Sequence, residues 1–433
     1  MGGQRSDSLS EQNLVTKLSK MLEGLVLPED SGLNEQCIYK VPQTLRVSNP
    51  KAYTPRIVSI GPFHKKRDFG REDKILKPME ELKLKYLKGF LIRTKLHLNN
   101  FIVKLKELEH KIQSCYAGPI DFNSDDFLQM ILIDACFIIE HFLRFYQENG
   151  WKEKDPLLQK HWLLIDIEHD LILLENQLPF FVLEDIYNLA GMQNEFPSFL
   201  EISFYYFSEF NRQNINPGRV CPRVSPKHFT DLLRTFLIPS SFDLGAPRKS
   251  AVIKHLYSAS QLLEAGIKLE ASPSNCLVDL NYYEGVLTMP TFGVHDDTEI
   301  YFRNILAFEH CHVLHSPIII QYIKILDFLI NTGKDVDILV DKKIIMNWMG
   351  DANAVATMVN SLGSNVFMPC FNSKYFSLCN DLNNFYENPL NKYKAIFVHE
   401  YFNTPWKIAS TIAAIVLLLL TLIQTICSVV QLF

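Results

Sequence analysis

The chain has 433 residues, 47% hydrophobic and 21% charged, which is enough for a large core and excludes wholesale disorder. Its 43 basic and 48 acidic side chains give a net charge of −5, against a nucleic-acid protein driven by whole-chain charge. Nine scattered cysteines are too few for a disulfide scaffold.

At the start, Met-Gly-Gly-Gln-Arg-Ser matches the M-G-x-x-x-[ST] pattern in which Gly2 accepts myristate. Chance is the competing reading, since the pattern fixes only two positions after Met. One myristoyl chain binds membrane marginally, so a second anchor would matter. The first 22 residues hold no continuous apolar run of the secretory kind. Ser8 to Val26 reads as a short amphipathic helix, with Ser8 and Glu11 at capping-box spacing and Leu14, Leu18, Met21, Leu22 and Leu25 recurring at helical intervals. Residues 37 to 63 carry Pro42, Pro50, Pro55 and Pro62, which predicts an extended stretch.

Helix is expected from about Asp73 to Ser114, broken near Asn99-Asn100, with Met79, Leu82, Tyr86 and Phe90 on one face. Asp125 to Gln147 and Pro156 to Ala190 are apolar almost all round and should be buried, with Pro179 ending or kinking the second. Three prolines in Asn211 to Pro226 mark a loop or subdomain boundary. Helix resumes over Pro226 to Phe236 and Arg248 to Gly266. Between Asn275 and Met289 the period changes: CLVDL, NYYEG and VLTMP predict a β-hairpin with Gly285 in the turn. Asp296 and Glu299 predict a capping box opening a helix through Cys311. Pro317 to Asn331, Asp335 to Met349 and Asp351 to Leu362 follow, then an aromatic approach to the C-terminus.

Ile408 to Val430 is 23 residues without a charge, 13 of them Leu, Ile or Val. A helix of this length spans roughly 34 Å against a hydrocarbon core near 30 Å. Its aliphatic residues favour insertion by roughly 4 to 8 kcal/mol before polar deductions. Trp406 and Lys407 stand where an interfacial aromatic and a snorkelling cation belong. Only Gln431, Leu432 and Phe433 follow, so insertion after translation is expected. Lys392, Lys394 and Lys407 precede the span and no Lys or Arg follows it, which places the bulk of the chain in the cytosol. The 28 Asn residues form no Asn-x-Ser/Thr sequon, in agreement.

Residues 65 to 111 hold 14 Lys or Arg against 7 Asp or Glu. That stretch suits anionic headgroups or an acidic partner, but the solvated face of a long helix explains it more simply. No stacking aromatics interleave with the basic residues, so no nucleic-acid partner is expected. His161, Asp166, Glu168, His169, Asp170 and Glu175 form a carboxylate and histidine group. Asp166-x-x-His169 and Glu107-x-x-His110 both have the i, i+3 spacing of one helix face, and Glu140 and Glu175 complete a nominal di-iron set. Glu140 and Arg144 are more simply an i, i+4 ion pair. Glu309-His310-Cys311-His312 with His315 is the densest soft-ligand cluster, but lacks a second pair at finger spacing. Histidines meeting the negative end of a helix account for it without metal. Neither the phosphate-loop, nucleophile-elbow, dinucleotide nor zincin motif occurs, and no cofactor is implied.

Several blocks are nevertheless recognisable: IYKVPQTLRVSNPKAYTPRIVSIGPFH at 38 to 64, MEELKLKYL at 79 to 87, LIDACFIIEHF at 132 to 142 and DLILLENQLPFFVL at 170 to 183. LLEAGIKL at 262 to 269, DDTEIYFRNILAFEHCH at 296 to 312 and YFNTPWKIAS at 401 to 410 continue the series. Over residues 37 to 430 the chain resembles the plant domain-of-unknown-function 247 family, also called UPF-0481 proteins. Ala135 stands where the family's Asp-Gly-Cys-Phe run has Gly. The resemblance implies one mostly helical domain followed by a membrane helix. It carries over no catalytic residues. Some relatives are associated with recognition, including self-recognition between pollen and stigma in grasses. Glu175, Asn176 and Gln177 are expected to hydrogen-bond backbone at a helix end before Pro179 rather than to do chemistry.

The sequence therefore predicts a mostly α protein: a polar segment at 1–36, a helical domain with a small β-hairpin at 37–400, and a transmembrane helix at 408–430. A membrane-anchored, non-enzymatic interaction or signalling protein with unknown protein partners is the leading reading. The alternative is a membrane-bound enzyme or metal protein using Asp166 and His169 or the His310 to His315 group.

Overall fold

The structure, a computed structural model, describes residues 14–22, 35–65, 77–151, 153–217, 225–238, 253–313, 317–366, 370–402 and 405–430. Gly2, His315 and residues 66–76 of the basic stretch lie outside these. The chain is mostly helical, with short strands and one long apolar C-terminal helix.

The central element is the helix Ser124–Tyr146, started by the Asn123 side chain, which accepts from the Asp126 amide at 2.8 Å. Acidic Asp125 and Asp126 in its first turn complement the helix dipole. From Phe127 to Arg144 nearly every side chain is buried, polar ones included. Full burial of Phe137 or Phe142 contributes roughly 1.5 to 3 kcal/mol each. Helices Lys77–Thr94, Leu98–Ser114, Phe180–Leu189 and Phe199–Tyr206 pack around it. The break in the basic helical region falls at Lys95, in left-handed backbone (φ 57°), a few residues before Asn99.

The second long apolar segment divides. His161–Ile172 is helical, residues 173–179 are not, and Pro179 sits at the N-terminus of Phe180–Leu189, where its missing N–H costs nothing. One core cluster runs from Cys37 to Leu382, across the proline-rich loop after Asn211, so that loop does not separate two packed units.

The proline-punctuated segment is only partly extended, being interrupted by two short helical turns, but it is firmly held. Ile38–Tyr39 pairs in parallel with Tyr116–Ala117, and a single α-helical turn at Gln43–Arg46 and a 3-10 helix at Pro50–Tyr53 follow. Backbone amides without a regular partner must be satisfied elsewhere, and buried side chains do it. Asp170 accepts from the amides of Arg56, Ile57 and Val58 at 2.7 to 2.8 Å. Asn176 accepts from Ile60 N at 2.7 Å and donates to Val58 O at 3.0 Å, and Asp134 accepts from Gly61 N at 2.9 Å. Gly61 has φ +70°, and a Cβ there would lie 2.6 Å from the Gln177 carbonyl, so only glycine fits.

The hairpin is present but shifted. Asn281–Tyr283 runs antiparallel to Val286–Pro290 around Glu284 and Gly285, both at positive φ, as a two-residue primed turn requires. Residues 276–280 are not strand. Instead Lys268–Ser272 pairs in parallel with Val286–Pro290, which makes a three-stranded sheet. Of the helix expected over Arg248 to Gly266, the described residues are helical over Ala259–Glu264, and the strand begins two residues past its expected end. A second pair, Phe292–Val294 with Ile345–Asn347, cuts short the helix expected through Met349 at Asp341. The Phe292 amide donating to the Ile344 carbonyl at 2.7 Å fixes that departure. The helix expected from Asp296 begins at Thr298. Glu299 does not close a box with Asp296, because it accepts from Arg303 and Asn49 instead.

Two further helices, Ser373–Glu387 and Pro389–Phe402, occupy the aromatic approach. Tyr375, Leu378, Cys379 and Leu382 face the core at helical spacing, and the Tyr375 hydroxyl donates to the Val278 carbonyl at 2.5 Å. The last helix is Pro405–Val430. Twenty-four of its residues are long and apolar enough to cross a membrane, and none of its most apolar stretch is buried.

Candidate functional site

Most of the sequence-predicted polar groups are spent on holding the fold. Asp166 and His169 do come together, but Arg56 bridges them: one guanidinium nitrogen lies 3.0 Å from Asp166 Oδ1 and 2.9 Å from His169 Nδ1. Arginine only donates, so Nδ1 is the acceptor of that bond. Nε2 in turn faces Asp297 Oδ2 at 3.2 Å. Both ring nitrogens are thus committed. The contact from His169 is the main cause holding the Asp297 carboxyl below its usual range.

Glu175 accepts from the Val41 amide at 2.6 Å and pairs with Arg46 and His64 at 2.5 and 3.2 Å. Asn176 and Gln177 bond the carbonyls of Asp170, Leu171 and Leu173 where the helix ends, and the Phe229 amide donates to Gln177 Oε1. Glu140 pairs with both Arg93 and Arg144 at 2.8 Å, and Arg144 continues to Asp155 at 2.9 Å. Glu107 and His110 are exposed on the Leu98–Ser114 helix.

At the second cluster, Glu309 is fully buried against Arg234 at 2.7 Å and the Ile320 amide at 2.9 Å. His312 stacks on Phe308 and meets the Tyr39 hydroxyl through Nδ1 at 3.0 Å. Burial pushes His310 and His312 below the ordinary histidine value. Both stand in the last turn of the Thr298–His312 helix. Among the described residues no group of three His, Cys, Asp or Glu side chains is arranged to hold a metal.

In the basic stretch, Lys65 pairs with Glu80, Lys83 with Asp134 and Arg93 with Glu140. Lys77, Lys85, Lys88, Lys95 and Lys106 are exposed.

A cleft of about 370 Å³, within the range of small-molecule sites, opens beside His169. Its apolar floor comes from Phe236, Phe292 and Phe302, with Phe210 stacked on Tyr301 at 5.0 Å. Its polar groups arrive from separate elements: Glu168 and His169 from the His161–Ile172 helix, Glu209 and Arg212 from the turn after Phe207, and His295 and Asp297 from the approach to the Thr298–His312 helix. His295 stacks on exposed Trp348 at 5.6 Å. Arg212 lies against Gly293, where a Cβ would come within 2.9 Å of the guanidinium.

Glu168 is half-buried and makes no hydrogen bond or ion pair among the described residues. Burial, reinforced by Glu209 and Asp297 and opposed by His169, pushes its carboxyl up to about 7. Arg212, Glu209, His295 and Asp297 carry no local sequence signal, because more than 80 positions separate the ends of this set and only folding brings them together.

The sequence profile of a family described as "Plant protein of unknown function", DUF247, matches residues 38–420. The UPF0481 protein At3g47200 of Arabidopsis thaliana is 29% identical over 430 residues, which cover 93% of this chain and 88% of the relative. The putative UPF0481 protein At3g02645 of the same plant is 31% identical over 180 residues, 40% of this chain and 31% of the relative. No solved structure matches the chain significantly. With matching sequence across nearly the whole helical body, this chain belongs to the plant domain-of-unknown-function 247 (UPF0481) family.

Proposed function

We propose that the protein is a membrane-anchored, non-enzymatic recognition or signalling component, whose helical body faces the cytosol and presents its surface to protein partners. The observation that carries this reading is the Pro405–Val430 helix. Leu417, Leu418, Leu419, Leu420 and Leu422 all stand exposed on it. A lone exposed Leu is ordinary, but an exposed apolar surface of this extent calls for a bilayer or a partner. The commitment of Asp166, His169, Glu140 and Glu175 to structural hydrogen bonds favours a body built to hold a shape over one built to turn over substrate.

Protease protection on isolated membranes, with an N-terminal tag and a carbonate wash, tests it. Digestion of the body without detergent, with the protein resistant to carbonate, is expected. Protection of the body would place it on the other side, and release by carbonate would remove the anchor. Metal analysis of the purified full chain tests the non-enzymatic part, where stoichiometric zinc or iron would overturn it.

A further inference from the structure

We propose that the cleft beside His169 binds a small amphipathic amine, its ammonium held by Glu168 with Glu209 and Asp297, and its apolar body laid over Phe210, Tyr301 and Phe292. Three observations converge on this class of ligand. The first is shape: a cleft of about 370 Å³ with a mainly aromatic and aliphatic floor and polar groups around it has the composition of a small-molecule site.

The second is charge. Three carboxyl groups line the cleft against the single cation Arg212, and no ion pair joins Arg212 to any of them among the described residues. Arg56, the other nearby cation, is already held by Asp166 and His169. His295 is stacked on Trp348. An anionic ligand would gain Arg212 but meet three carboxyl groups. A cationic one meets them favourably. The positive end of the Thr298–His312 helix, which would otherwise attract an anion, is answered by Asp297 and Glu299.

The third is the aromatic lining. Phe210 and Tyr301 are stacked at the cleft, and ring faces attract a cation at short range. Glu168 has no partner of its own among the described residues, so an ammonium arriving there makes a charge-assisted hydrogen bond without breaking any of theirs. Arg212, lying on Gly293, remains available to a hydrogen-bond acceptor elsewhere on the ligand.

Because the ammonium favours ionised Glu168, binding releases a proton, and affinity rises with pH through about 7. His169, Glu209 and Asp297 set this response, the buried Tyr206 hydroxyl also faces Glu168, and Arg212 and His295 line the same cleft. The inference rests on the helical body alone, so it stands or falls apart from the membrane reading.

The test is calorimetric titration of the full chain in nanodiscs, with protein-free nanodiscs subtracted. Three probes share one ring system: tryptamine, neutral 3-methylindole and anionic indole-3-propionate. Tryptamine is expected to bind at least about 10-fold tighter than indole-3-propionate, and several-fold tighter at pH 8 than at pH 6. Glu168→Gln should weaken tryptamine about 10-fold and abolish the pH dependence, leaving 3-methylindole unaffected. Glu209→Gln, at an exposed position, provides a second variant with a smaller loss in the same direction. Equal or tighter binding of the anion, or no tryptamine binding at millimolar concentration, overturns the proposal. So does tryptamine affinity unchanged in both variants.

Discussion

The helices Ser124–Tyr146 and Pro405–Val430 are close in length, at 23 and 26 residues, and both are apolar almost all round. One is sealed inside the protein and the other is bare. What separates them is the treatment of charge. The central helix carries Asp134, Glu140 and Arg144 inward, each met by a partner: Lys83, Arg93 and Asp155. The terminal helix carries no charge after Lys407. A buried helix in a folded protein can hold charges because neighbouring side chains answer them, whereas lipid offers no such partner. An apolar helix surrounded by paired charges belongs to a protein interior, whereas a bare, uninterrupted one is long and apolar enough to be a candidate membrane span.

Charge introduced into the terminal helix breaks the comparison most sharply. Leu418→Arg combined with Leu422→Arg costs roughly 5 to 7 kcal/mol of insertion, about what the aliphatic residues supply. The protein should move from the carbonate-resistant pellet to the supernatant, and retention in the pellet would contradict a lipid-facing role.

Next comes the central helix. Lys83→Met leaves Asp134, fully buried, with the Gly61 amide as its one hydrogen-bond donor among the described residues, and should cost about 3 to 5 kcal/mol, seen as a lowered urea midpoint. Removing both charges as Lys83→Met with Asp134→Leu should recover part of that loss, which a double-mutant cycle measures.

Glu168 is an intermediate case, half-buried and unpaired. Its carboxyl is raised from 4.5 to about 7, so the protonated form favours the fold. That advantage is fully present below about 4.5 and is lost as pH rises through about 7. Glu168→Gln should leave stability at pH 4 nearly unchanged and raise it by about 2 kcal/mol at pH 8, after discounting for partial exposure. Urea unfolding at the two pH values checks it, and equal effects at both would contradict an unpaired carboxyl. The smallest effect belongs to the cap: Asn123→Ala should cost about 1 kcal/mol, read from the same denaturation curve.

Asp166 and His169 were legible as neighbours because i, i+3 spacing on a helix is local geometry. Their role was not, since the deciding partner, Arg56, lies more than 100 positions away. The same holds for Glu168 and Arg212, which line one cleft although a long stretch of chain separates them.

Periodicity, prolines and the charge-free C-terminal run specify the helical class, the absence of a long helix in the segment after Cys37, the burial of Ser124–Tyr146 and the apolar terminal helix. These properties depend on residues within a turn or two of one another. Tertiary structure alone decided that Lys268–Ser272 and Ile345–Asn347 become strands, because a parallel strand exists only beside its distant partner. It also decided which polar side chains are spent on backbone amides and which, such as Glu168, are left facing a cleft. A side chain's chemistry is written in the sequence, but its partners are set by contacts between segments far apart in the chain.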